Sequence, residues 1–373
     1  MNLKVIFRKT NLIWVFILYL IVPVGSCNSS NQGDFQPVVR EDWPVSTPRT
    51  EGLNPVQVED LYRRAEQIEH LYSILLIKNG FLVAEKYFNG MDIDDANPIA
   101  SVTKSFISAL TGIALRENVL GNLDDKMKKF FLELDWQDLD PRKSLITIRQ
   151  MLQMRTGYPW EENYPEYIDL LVTRQDWVPL LQELPLTNDP GSNWGYSNLT
   201  TIMLATILER IVAEPFSDFA QRFLFNPLSI TPNYIHYDSL VFSLRNGEPG
   251  FTPRALAKFG QLYLNNGSFN GLQILPQGWV EESLATYSIN IFNGDINNYI
   301  TSIGFGYLWW SAEAGAHKIN FASGSGGQLI IIVPELKLIV VATADDLFLQ
   351  LDADAARKQM EVWNLVGRFL VNI

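Results

Sequence analysis

Strand-like runs fill the two ends of this chain and are nearly missing from its middle, and that distribution limits the folds open to it. Near the start, Tyr72–Ile77 and Phe81–Phe88 are β-favouring apolar runs joined by Asn79-Gly80. That dipeptide suits a two-residue hairpin turn, which needs positive φ at both central positions. In the last quarter, Gly306–Trp310, Lys318–Ala322, Gln328–Val333 and Leu338–Thr343 read as short strands, with Pro334-Glu335 as a turn.

The remainder reads as helix. Asn54-Pro55 opens the first one, with Val58, Leu61, Tyr62 and Ala65 at helical spacing. Ser101–Leu115, Ile148–Met154 and Leu199–Val212 follow, then a helix opened by Thr252-Pro253 and closed by Asn266-Gly267. Asp352–Leu370 ends the chain with Ala356, Met360, Trp363, Val366 and Leu370 on one side. The economical arrangement is an α+β fold in which the N-terminal hairpin joins the C-terminal strands in one antiparallel sheet flanked by helices. The first and last helices would cover one face, and an all-helical lobe the other. The expected boundaries are an α/β lobe of residues 54–115 and 295–373 and a helical lobe of 116–294, with a cleft between them.

Before residue 54 the chain changes character. Lys4, Arg8 and Lys9 precede a mostly apolar stretch from Asn11 to Val24, the pattern of an export signal. Cys27, the only cysteine, follows in Val24-Gly25-Ser26-Cys27, which resembles a bacterial lipobox. Residues 1–27 are therefore read as a signal segment ending at a lipidation site, and the polar stretch 28–53 as a linker. The expected location is the bacterial cell envelope, lipid-anchored to the membrane, or else the periplasm or exterior. A single cysteine excludes a disulfide framework and a cysteine-based metal site. The formal net charge of −12, with no basic stripe, argues against nucleic acid as a partner.

Three short elements carry possible chemistry. Ser101-Val102-Thr103-Lys104 places a hydroxyl and an amine three residues apart at a helix start, so both share one face. A serine hydroxyl is a weak nucleophile until a nearby base removes its proton, and a lysine serves only if its pKa is pulled down. Tyr196-Ser197-Asn198 puts a phenol and an amide just before the helix at 199–212, where Ser197 or Asn198 would equally well be a helix cap. Ala322-Ser323-Gly324-Ser325-Gly326-Gly327-Gln328 lies between two strand runs, and its glycines permit close backbone approach to a bound group.

In this order and separation, the three elements resemble the serine β-lactamase and D,D-peptidase superfamily of SxxK serine hydrolases. The likeness is nearest to its class C-like branch, with esterases and 6-aminohexanoate-oligomer hydrolases. Ile146–Leu152 leading to Thr156-Gly157, and Gly304-Phe305-Gly306-Tyr307-Leu308-Trp309-Trp310, add to the likeness, which spans about Leu75 to Phe369. The resemblance implies acylation of Ser101, with Lys104 and Tyr196 as proton-transfer partners and the choice of base between them open. It also implies that Asn198 binds a substrate carbonyl or Lys104, that Gly324 and Ser325 line the substrate strand, and that the backbone N–H groups of Ser101 and Ser325 form an oxyanion hole. The family's third motif usually begins with Lys or His, but here that position is Ala322. A cation there favours carboxylate-bearing substrates such as penicillin, so its absence favours an ester or amide substrate. A D,D-carboxypeptidase or β-lactamase acting on the cell wall, and a catalytically silent sensor of the same fold, are the alternatives.

No cofactor is called for. The three histidines, His70, His236 and His317, show no metal spacing. An α/β-hydrolase would need a Gly-x-Ser-x-Gly elbow, which is missing. Tyr158, Trp160, Tyr307, Trp309 and Trp310 read equally as an aromatic cleft or as core.

Overall fold

The computed structural model describes residues 34–173, 176–234, 249–291, 297–345 and 353–373. Cys27, the segment expected to be an export signal and His236 lie outside them. One eight-stranded sheet organises the described chain. Its strands are β1 Leu71–Lys78, β2 Phe81–Tyr87, β3 Ser288–Ile289, β4 Ile300–Phe305, β5 Trp310–Ala314, β6 His317–Gly324, β7 Gln328–Val333 and β8 Leu338–Ala344. Their order is β2-β1-β8-β7-β6-β5-β4-β3, with every pairing antiparallel. The N-terminal hairpin thus joins the C-terminal strands through β1 and β8, in register from Ser73 opposite Thr343 to Lys78 opposite Leu338. Asn79 and Gly80 both have positive φ, as the turn between β1 and β2 requires.

Every residue of β7 and β8 is buried, because helices cover both faces of the sheet there. On one face pack α1, Pro55–Ala65, and the last helix, Ala353–Leu370. They meet Ile74, Leu76, Leu329, Ile331 and Val340 with Val58, Leu61, Tyr62, Val362, Trp363 and Val366. Asn54 caps α1 by accepting from Val56 N–H at 3.0 Å. The other face carries α2, Thr103–Arg116, α3, Asn198–Ile211, and α4, Pro253–Leu264. Gly260 lets α4 lie close on the sheet, since a Cβ there would stand 3.0 Å from both Ile330 Cγ2 and Ile339 Cγ2.

Two segments differ from the sequence reading. The described part of the expected linker, residues 34–53, is packed against the domain. Phe35 stacks on Tyr62 with ring centroids 4.8 Å apart, and Trp43 is buried and donates to Gly80 O at 3.0 Å. Arg254, buried on α4, holds Asp42 at 2.6 Å and Glu85 of β2 at 3.0 Å. These contacts come from isolated residues with no period to reveal them. Gly306–Trp310, expected as a strand, is instead mostly a turn between β4 and β5, with Leu308 at φ 57°. A Cβ on Gly306 would lie 2.2 Å from Ser283 O, so the chain must turn there without a side chain. Among the described residues, no helix is long and apolar enough to cross a membrane.

Candidate active site

Ser101 sits in a single 3-10 turn, Ala100–Val102, that runs into α2. Ala100 has φ 46°, a strained conformation for a residue with a side chain, and such strain clusters at functional sites. Lys104, buried on the first turn of α2, donates from Nζ to Ser101 Oγ at 2.8 Å. The serine and lysine thus touch as their spacing predicts. Ser105 Oγ, on the next residue, donates to Leu308 O at 2.7 Å and pins α2 to the turn between β4 and β5.

Tyr196 arrives from a loop braced by glycines. Gly195 N–H donates to Met154 O at 2.8 Å, and Gly191 N–H to Arg155 O at 2.7 Å. Gly157, at φ 91°, comes so close to Asn188 that a Cβ would meet its carbonyl oxygen at 2.2 Å. The loop therefore holds Tyr196 against Lys104, whose Nζ lies 5.0 Å from the phenol ring centre. Tyr196 is 5% exposed. Burial pushes its phenol above the ordinary value, while the charge of Lys104 and polar contact with Ser101 and Lys104 pull it back.

The third element closes the site from the sheet. Gly324 ends β6, paired with Gln328 of β7. A Cβ there would stand 2.5 Å from Ile99 O and 2.9 Å from Ala100 Cβ. This close approach seats Gly324 and Ser325 beside the turn that carries Ser101. Ala322 is buried on the same face of the sheet as α2. Lys318 is exposed four residues away along β6, and so is no substitute for a cation at position 322.

Asn198 makes no hydrogen bond with Lys104, one of its two expected partners. Its Nδ2 donates to Glu162 Oε1 at 3.0 Å, and its Oδ1 is buried without a partner, so it does not hold Lys104. The neighbouring Glu161 receives Ser197 Oγ and two backbone N–H groups of α3. The sequence reading missed both acids. A Glu-Glu pair in an acidic chain carries no signal of burial.

The five aromatic residues divide. Tyr158, Tyr307 and Trp309 are core. Trp160 and Trp310 are half-buried and flank Tyr196, with ring centroids 5.2 Å and 5.8 Å away. Trp194 joins them at 6.4 Å. His70 donates from Nε2 to Lys358 O, and His317 pairs with Glu335. Among the described residues, no group of three or more His, Cys, Asp or Glu side chains is placed to hold a metal.

Comparison with known proteins bears on this constellation. The 6-aminohexanoate-dimer hydrolase of Paenarthrobacter ureafaciens is 26% identical over 303 residues, covering 76% of this chain and 75% of its own. A Bacillus anthracis structure assigned to the 6-aminohexanoate-dimer hydrolases aligns at a TM-score of 0.66 and 22% identity, over 91% of this chain and 88% of that one. The D-amino acid amidase of Ochrobactrum anthropi aligns at 0.63 and 18%, over 84% of this chain and all of the other. Those two likenesses are of fold. The Beta-lactamase family matches residues 70–362, with Ser101, Lys104 and Tyr196 inside the match, and the chain belongs to that family of serine hydrolases.

Proposed function

We propose that this protein cleaves an amide or ester through an acyl-enzyme on Ser101. The observation that carries the reading is the 2.8 Å hydrogen bond from Lys104 to Ser101 Oγ, made beside the buried phenol of Tyr196. Ser101 Oγ attacks the substrate carbonyl carbon while the Lys104–Tyr196 pair takes its proton. The carbonyl oxygen becomes an oxyanion, received by the backbone N–H groups of Ser101 and Ser325. Collapse breaks the bond to the leaving amine or alcohol, which receives a proton from the same pair. Water then attacks the acyl carbon with its proton passing to that pair, and acid and free Ser101 result. Asn198 reaches a substrate carbonyl by exchanging Glu162 for it.

Buried Ala322 in place of a cation favours an ester or amide over a β-lactam or D-Ala-D-Ala peptide, whose carboxylate lies next to the bond cleaved. The half-buried Trp160 and Trp310 beside Tyr196 suit an apolar substrate arm. The relatives that act on 6-aminohexanoate dimers and D-amino acid amides support an amide. The test is turnover of p-nitrophenyl acetate, nitrocefin, a D-Ala-D-Ala peptide and a 6-aminohexanoate dimer by the domain and by its Ser101→Ala variant. Ester or dimer cleavage lost in that variant supports the reading. Full activity in Ser101→Ala sinks it, and dominant nitrocefin or peptide turnover moves the substrate to the cell wall.

The N-terminal pattern supports export and lipidation of Cys27 as a membrane anchor. Metabolic labelling with a radioactive fatty acid checks this. Label that persists in Cys27→Ala, or that is missing from the native protein, is the opposing result.

A further inference from the structure

Glu161 is fully buried, and the chemistry above does not use it. Its carboxylate receives Ser197 Oγ at 2.7 Å and Leu199 N–H at 3.2 Å on Oε1, and Asn198 N–H at 2.8 Å on Oε2. All three donors lie at the start of α3, directly after Tyr196. Two are backbone N–H groups that cannot reverse. The third, Ser197 Oγ, already accepts from Thr200 N–H at 3.1 Å as the helix cap. This donor set matches an ionised carboxylate at a helix N-terminus, and a proton on either oxygen displaces a donor. We propose that Glu161 is a positioning residue whose ionised carboxylate fixes the first turn of α3, and with it Tyr196 against Lys104, so that protonating Glu161 slows turnover. The inference rests on the Ser101 reading given above.

The surroundings place this switch near neutrality. Burial pushes the Glu161 carboxyl up to about 7, against the hydrogen bonds from Ser197, its own backbone, Asn198 and Leu199. Among the described residues, no cation pairs with it. The titratable groups facing it are the Tyr158 phenol, pushed up by its burial first and then by the charges of Asp140 and Glu161, and the adjacent Glu162 held on Asn198. Two lysines sit over the aromatic rings of this region. Lys143 is 5.7 Å from the Tyr158 ring centre, and Lys104 is 5.0 Å from that of Tyr196. Above neutral pH the carboxylate is ionised and the turn is held. Below it the hold is lost.

The test is kcat on an activated ester from about pH 5.5 to about pH 9, for the native protein, Glu161→Gln and Ser197→Ala. The native protein should lose activity on the acid side of neutrality. Glu161→Gln, whose amide opposes the Asn198 N–H at every pH, should lack that limb and have a plateau lower by about tenfold. Ser197→Ala removes one donor to the carboxylate and leaves the backbone donors, so its limb should move to higher pH. If Glu161→Gln does not fold, the position of the Ser197→Ala limb decides. A merely structural role would lower activity equally at all pH and leave the limb in place. An unmoved limb, with turnover that Ser101→Ala abolishes, overturns this inference alone. Turnover surviving Ser101→Ala overturns the reading beneath it and this inference with it.

Discussion

Gly324→Ala tests whether the sheet edge and the nucleophile turn are fitted to each other. The new methyl would lie 2.5 Å from Ile99 O, 2.9 Å from Ala100 Cβ and 3.1 Å from Gln328 Cβ. Ordinary contact is 3.4–4 Å, and the nearest obstacle is backbone, so the end of β6 or the turn before Ser101 must move by about 1 Å. A displacement of about 1 Å between reacting groups costs on the order of 10²-fold in rate. Overpacking itself costs roughly 1–3 kcal/mol of stability. Gly260→Ala separates the two effects. Its methyl would press on Ile330 and Ile339 at 3.0 Å, in the core of the same sheet. Both variants should lower the urea midpoint, but only Gly324→Ala should lower kcat, by on the order of 10²-fold. The assay pairs denaturant unfolding with single-turnover acylation by an activated ester. If Gly324→Ala acylates within about twofold of the native rate while folded, the fit of the two segments is not what builds the site.

Tyr196→Phe removes only the phenol oxygen, so kcat should fall by at least ~10²-fold with little change in urea midpoint; a near-native kcat would remove Tyr196 from proton transfer. Glu85→Ala leaves buried Arg254 with only part of its partners and should cost roughly 3–5 kcal/mol, read by urea unfolding, and a loss under about 1 kcal/mol would refute the network's role. Glu161 also has a stability signature, because its folded pKa is raised from 4.5 to about 7. The shift is the desolvation cost of the ionised form. Although that form orders the turn, the group's contribution to overall stability is highest below 4.5 and declines as pH rises through about 7, and Glu161→Gln should flatten that decline. The opposite sign holds for Asp140 and Asp124, kept low by hydrogen bonds from Arg142 and Arg149. Their stabilisation is present above the ordinary carboxylate range and is lost in acid, and an acid titration of the unfolding midpoint that shows no such loss would contradict those pairs.

Local signals in the sequence carried the elements that local physics decides. Asn79-Gly80 specifies its turn because few other dipeptides accept positive φ twice. Ser101 and Lys104 meet because residues three apart share a helix face. Tyr196 and Gly324 reach them only through tertiary contacts, and family resemblance rather than spacing brought them into one site. The packing of residues 34–53 was not legible, since Phe35, Asp42 and Trp43 each find a separate distant partner. Gly306–Trp310 misled for a related reason. Its apolar run reflects burial, whereas its path is set by the absent side chain of Gly306 and the left-handed Leu308. Glu161 was invisible because desolvation is a property of the surroundings and not of the residue.

The pairing of β1 with β8 carries a consequence for the order in which the protein is made. Residues 71–78 pair with residues 338–344, so the centre of the sheet is completed only after a segment about 260 residues further along has been made. Contacts between such distant segments form slowly, because a long loop must close before they stabilise anything. Ser101 and Lys104 leave the ribosome early, but the strand end bearing Gly324 and Ser325 comes late. A growing chain therefore carries its serine without the sheet edge that completes the site. The hydrolase stays chemically silent until residues 324–344 have been made and have paired.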